Sequence, residues 1–190
     1  MKNDNVVHPI ILMRRSAFSF SDTPVDENII HLLFDAARKA PSSFNAQPWR
    51  FIYGAKGENS GCYDKLLDLL SEKNKAWAKT APVLILTLAE TIFTHNGTEN
   101  RYAFHDLGLA TSNFLLQASF LGIVTHLMGG FDKIKAREIF NVSPEIEPAV
   151  MIALGFPGKN EHLSEEIQQR LRSAGNRMEL EQFVLKCPGR

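Results

Sequence analysis

The chain has little that would support metal, disulfide or nucleic-acid chemistry. Its two cysteines, Cys62 and Cys187, lie far apart and form no Cys-x-x-Cys pair, which argues against a disulfide framework or a thiolate metal site. The six histidines (8, 31, 95, 105, 126 and 162) are scattered, and an acid adjoins two of them, as His105-Asp106 and Glu161-His162. Adjacent helical residues point to different faces, so no metal site is expected. Lys plus Arg and Asp plus Glu both number 21, giving a formal charge of zero. No basic field exists to hold nucleic acid, and no common nucleic-acid motif is present. Long apolar runs are absent too. The most apolar region, residues 107–128, is interrupted by Thr111, Ser112, Asn113, Gln117, Ser119 and His126, whereas a membrane span needs about 20 predominantly apolar residues. The first residues carry one lysine and no apolar stretch after it, so the expectation is a cytoplasmic protein without a membrane segment.

What is present is enough for a core. With 44% hydrophobic residues in 190, one domain spanning 1–190 is expected. Apolar spacing predicts a helix over 26–39, with Ile29, Leu33, Ala36 and Ala40 on one face. A second helix over 63–70 is expected to continue toward Lys79, and a central one covers 104–121. Strands are predicted at 50–53, 83–88, 123–127, 150–154 and terminally at 178–185. Asp132 is positioned to cap a helix running to Phe140, and a polar helix is expected at 163–172. The stretch 90–101 is the least regular and the best lid candidate. The pattern is α+β, a sheet flanked by helices.

One segment carries most of the functional information. Residues 40–49 read Ala-Pro-Ser-Ser-Phe-Asn-Ala-Gln-Pro-Trp. Pro41 stops the preceding helix, leaving a loop rich in hydroxyl and amide groups before a strand. Ser42, Ser43, Asn45 and Gln47 offer many hydrogen bonds to a planar polar ligand, and Trp49 offers an apolar wall. With Arg14-Arg15-Ser16 upstream, this string resembles the FMN-dependent nitroreductase family. Further matches follow in the family's order: Asn74 before a strand, Asp106-x-Gly108-x-Ala110-x-x-Asn113, Gly129-Gly130-Phe131-Asp132, Leu154-Gly155-Phe156-Pro157, and the tail Arg177-Met178-Glu179-Leu180-Glu181. One departure stands out. Phe18 occupies the place where the family commonly carries a second basic residue, leaving less positive charge for a phosphate.

The resemblance implies a mostly antiparallel sheet flanked by helices, a C2 homodimer with a C-terminal extension, and FMN at the dimer interface. It also implies roles for residues. Arg14, Arg15, Ser16 and Arg177 would hold the FMN phosphate through planar guanidinium forks and a hydroxyl. Asn45 and Asn74 suit the carbonyls and N–H of the flavin's pyrimidine edge, and Ser42 and Ser43 the ribityl chain or ring edge. Gly129 and Gly130 would let the backbone approach the ring, with an N–H near N5. No catalytic side chain is nominated, because the chemistry belongs to the flavin. NADH or NADPH would reduce it, and an oxidised small molecule such as a nitroaromatic or quinone would reoxidise it, a ping-pong cycle. Phe114, Leu115 and Ala118 on the central helix suit either a dimer contact or a core. Phe93, Tyr102 and Phe104 are candidates for the pocket rim. Two other readings stay open at this point: a non-catalytic FMN-binding or sensor protein, and a related flavin enzyme performing dehalogenation or flavin fragmentation.

Overall fold

The structure is a computed structural model that describes residues 7–57, 60–161, 163–173, 175, 177–185 and 187. It divides into two compact units, Met1–Lys159 and Asn160–Arg190. The first contains helices α1 (Pro9–Met13), α2 (Glu27–Ala37), α3 (Ser60–Leu69), α4 (Glu72–Ala78), α5 (Ala103–Phe120) and α6 (Lys133–Ile139). Its strands β1 (Trp49–Ala55), β2 (Val83–Glu90), β3 (Val124–Met128) and β4 (Ile146–Gly155) form one sheet in the order β1-β2-β4-β3. Every strand pair is antiparallel, as expected, and the sheet is flanked by helices.

Burial explains the strand order. All of β2 from Val83 to Ala89 is buried, so this run, apolar but for Thr87, belongs in the centre of the sheet. On one face Ile30 and Leu33 of α2, Phe114 and Ala118 of α5, and Ile85 and Ile152 of the sheet form a continuous core. On the other face α3 comes so close that a Cβ at Gly54 would lie 2.3 Å from the backbone nitrogen of Tyr63. Only glycine permits that approach.

Several expectations are corrected. The helix predicted from residue 63 toward Lys79 breaks at Leu70–Ser71. Leu70 bridges to Phe131, Ser71 N–H donates to the Gly130 carbonyl at 3.0 Å, and Ser71 starts α4 with extended backbone (ψ 149). A tertiary bond to the neighbouring turn thus outcompetes the local helical one. Phe114, Leu115 and Ala118 are 0%, 9% and 0% exposed and pack in the chain's own core, the second of the two readings open for them. Phe93 is buried rather than at a rim, whereas Tyr102 and Phe104 are exposed. Residues 91–101, by contrast, lie outside any helix or strand as expected, and are tied within themselves: Ile92 bridges to Glu99, and Phe93 N–H meets Thr98 O at 2.8 Å.

In the second unit the polar helix appears as α7 (Glu165–Ser173). The predicted strand at 178–185 is instead a short helix, α8 (Leu180–Phe183). Glu179 and Gln182 form a reciprocal capping box, with Glu179 N–H donating to Gln182 Oε1 at 2.8 Å. That local satisfaction of backbone donors outweighs the β-propensity of Phe183 and Val184.

Candidate functional site

The expected site residues fall into two groups at opposite edges of the sheet. The first lies along β3. Ser16 pairs in parallel with Thr125, and Ala17 N–H donates to Thr125 O at 3.1 Å, so residues 14–17 run beside the strand as a short extra edge. Arg14 closes α1 as its C-cap, and Arg15 and Ser16 are exposed. At the other end of β3 the chain enters Gly129-Gly130. From Thr125 to Gly129 is four residues, roughly 13 Å along an extended strand. That length suits a ring edge at one end and a phosphate at the other, joined by a five-carbon chain.

The turn at Gly129-Gly130 is built by the break between α3 and α4. Ser71 N–H bonds the Gly130 carbonyl, and Asn74 Nδ2 donates to the same oxygen at 3.0 Å. The Asn74 amide is therefore oriented: its NH₂ faces the turn, and its carbonyl oxygen faces away. A Cβ on Gly130 would lie 2.9 Å from Asn74 Nδ2 and 3.0 Å from Ser71 Oγ, so a side chain there would push Asn74 out. A Cβ on Gly129 would meet nothing within 4 Å. Gly129 thus presents bare backbone to open space, beside an oriented amide and on the same strand edge as two arginines. Asp68 braces the region, its carboxylate held by Lys75 of α4 at 3.1 Å and Lys135 of α6 at 2.5 Å. Hydrogen bonds from both ammonium groups keep its carboxyl below the usual carboxylate range.

The second group is the loop before β1, beyond the opposite outer strand and so about 14 Å away across three strand spacings. Ser43 N–H donates to buried Asp106 Oδ2 at 2.8 Å, and Ser42 Oγ accepts Gln47 N–H at 3.0 Å. His105 Nδ1 lies 2.9 Å from the other Asp106 oxygen. Phe44, Asn45 and Gln47 all have left-handed backbone, φ 52°, 53° and 49°. For residues other than glycine such conformations cost on the order of 1–3 kcal/mol each. Phe44 is 81% exposed and its ring leans edge-on toward Phe93, 5.7 Å between centroids. Ser42, Ser43 and Asn45 do not meet Arg14 or Gly129 within one chain. Arg177 belongs to the second unit.

Three functional positions escaped the sequence reading. Asp106 was visible as part of a motif but not as the anchor of the loop at 42–47. Ser71 carried an N-cap signal, Ser71-Glu72, that a continuous helix obscured. Trp77 stands three residues after Asn74 and therefore on the same side of α4. A cleft of about 440 Å³ opens between α5 and the sheet, lined by Phe104, Leu107, Leu115, Leu127 and Val150, with Lys133 as its one cationic side chain. Leu127 is two residues before Gly129. Among the described residues no group of His, Cys, Asp and Glu is arranged to hold a metal, and no helix is long and apolar enough to cross a membrane.

An antiparallel sheet with a glycine turn at its edge strand and helices on both faces places the chain in the α+β class. The chain is similar to a crystal structure described as an oxidoreductase containing FMN, with a TM-score of 0.81 and 28% identity over 89% of this chain and 86% of that one. It shares its fold with a provisionally named nitroreductase in complex with FMN from Desulfovibrio desulfuricans, at a TM-score of 0.71 and 23% identity, covering 97% of this chain and 100% of that one. The nitroreductase family model matches residues 11–76 and 53–156, so the chain belongs to the nitroreductase family and is a nitroreductase-like oxidoreductase. Among its relatives, a protein of Burkholderia lata provisionally named an NADH dehydrogenase/NAD(P)H nitroreductase is 27% identical, over 81% of this chain and 87% of the relative. A protein of the same name from Methanothermobacter thermautotrophicus is 29% identical, over 79% and 76%.

Proposed function

We propose that this protein is an FMN-dependent NAD(P)H oxidoreductase acting on nitroaromatics, quinones or similar oxidised small molecules in the cytoplasm. The observation that carries this reading is the Asn74–Gly130 hydrogen bond beside the unobstructed Gly129 backbone. The donor set there fits a flavin. Asn74 directs its carbonyl oxygen outward, where it would accept the N–H of the pyrimidine edge. The Gly129 backbone leaves room for a planar ring to lie against the chain. Arg14, Arg15 and Ser16 stand at a distance that suits the phosphate, and their charge-assisted bonds would fix it.

When bound, FMN would accept hydride from NADH or NADPH and pass the electrons to the oxidised substrate, giving ping-pong kinetics. The protein's residues bind and orient. Asn74 would fix the ring edge and the Arg14–Ser16 segment the phosphate, and the apolar cleft along α5 offers a surface for a planar, apolar substrate. The second group of site residues supports a homodimer in which Ser42, Ser43 and Asn45 of one subunit complete the site of the other. Arg177 would add its charge to the phosphate. Dilution should then lower dimer content and cofactor occupancy together.

Initial rates measured on FMN-loaded protein, with the nicotinamide and a quinone both varied, test this proposal. Parallel double-reciprocal lines are expected. Intersecting lines would refute the ping-pong order, and no turnover with any acceptor would refute the enzymatic reading.

A further inference from the structure

We propose that His126, clamped in an aromatic trio with Phe18 and Trp77, is a positioning residue that sets the phosphate-binding segment in register with the flavin edge. This inference rests on the FMN reading above. Phe18 and Trp77 are 8% and 5% exposed. Their rings meet edge-on at 5.0 Å between centroids, and both contact His126, Phe18 at 4.4 Å and Trp77 at 4.5 Å. Each ring comes from a different segment of the first site group. Phe18 follows Ser16 by two residues, Trp77 shares α4 with Asn74, and His126 precedes Gly129 by three residues on β3.

The link to the phosphate end is a hydrogen bond. His126 Nδ1 lies 2.8 Å from the Ala17 carbonyl. A carbonyl only accepts, so the proton resides on Nδ1 and the imidazole donates to the segment that carries Arg14, Arg15 and Ser16. With the Ala17 N–H bond to Thr125, the Ala17 peptide groups are held from two successive residues of β3. The short α1 on the other side of the arginines buries no residue of its own. That helix packs on α5, and the ties between the arginine pair and β3 are these two bonds and the seat of Phe18. Phe18 is spent on packing: it brings no charge to the phosphate and fixes the distance of its segment from β3.

The test compares FMN with riboflavin, which has the same ring and ribityl chain but no phosphate. Both are titrated into purified wild-type protein and into His126→Phe, which keeps a ring in the trio and removes the donor. The FMN dissociation constant should rise roughly five- to tenfold, the effect of one lost hydrogen bond. The riboflavin constant should stay within about twofold of wild type, because the pin acts on the phosphate end alone. His126→Asn, whose amide NH₂ can take the place of Nδ1–H, should restore most of the FMN affinity. Should His126→Phe fail to fold, Phe18→Leu serves in its place, with the same selective loss expected. Equal losses for the two flavins would reduce the trio to scaffold and overturn the proposal, as would no loss of either. Wild-type protein that binds neither flavin would instead refute the FMN reading, and the positioning role with it.

Discussion

Gly129→Ala separates what the fold needs from what the ligand needs. A Cβ at residue 129 meets no heavy atom of the chain within 4 Å, and its backbone is not left-handed. The folded protein therefore accommodates alanine without strain, and the unfolded chain loses freedom. Stability should rise by about 0.4–1 kcal/mol, or roughly 1–4 °C in Tm for a chain of this length. Binding should move the other way. A methyl group placed where a planar ring lies on the backbone overpacks the complex by about 1–3 kcal/mol, which weakens FMN roughly 5- to 150-fold. Thermal melting of the flavin-free protein and a flavin-fluorescence titration measure the two effects on the same sample. Gly54→Ala is the contrast, because there the chain itself rejects a Cβ at 2.3 Å from the Tyr63 backbone. It should lower Tm first of all. Undiminished FMN affinity in Gly129→Ala would refute the placement of the ring at this turn.

Arg14→Ala should weaken FMN by about 10- to 150-fold through lost charge-assisted bonds worth roughly 1.5–3 kcal/mol, while riboflavin binds as before; full flavin occupancy in this variant would remove Arg14 from the phosphate site. Phe114 is fully buried in the core, so Phe114→Ala should cost about 3–5 kcal/mol in denaturant unfolding. That cost should not change with protein concentration; a cost that grows on dilution would return Phe114 to an interface. The Asp68 carboxyl is lowered by its two lysine partners, so its contribution is complete above the ordinary value of 3.8 and disappears as pH falls through the lower folded-state value. Melting curves of wild type and Asp68→Asn should therefore differ at neutral pH, converge in acid, and differ less in high salt.

Much of the fold was legible because local and tertiary preferences agree. The run at 83–88 is apolar except for Thr87, which is buried and donates its hydroxyl to Val150 O at 2.9 Å, and it sits at the centre of the sheet. Asp132 caps α6 as its position announced, accepting Lys135 N–H at 2.9 Å. The failures come where a tertiary bond overrides a local pattern. Nothing in the spacing of Leu66, Leu67 and Leu70 reveals that Ser71 will bond Gly130 across the chain, yet that bond ends α3 and aims Asn74. At the C-terminus the reverse holds, since a local capping box overrides an apolar, strand-like run. The candidate site residues were legible as a set through motif order, but their division between two sheet edges was not. Sequence order places residues 42–45 and 129–130 in one site without saying that one chain holds them apart. Phe18 read as a lost charge, while its partners Trp77 and His126 came into view only once three distant segments were folded together.

The most direct test of the central claim is an anaerobic absorbance spectrum of the purified protein after incubation with FMN, taken before and after addition of NADH or NADPH. A bound flavin band that bleaches on nicotinamide addition is the predicted result. Protein that retains no flavin, or a bound flavin that neither nicotinamide reduces, would contradict the account.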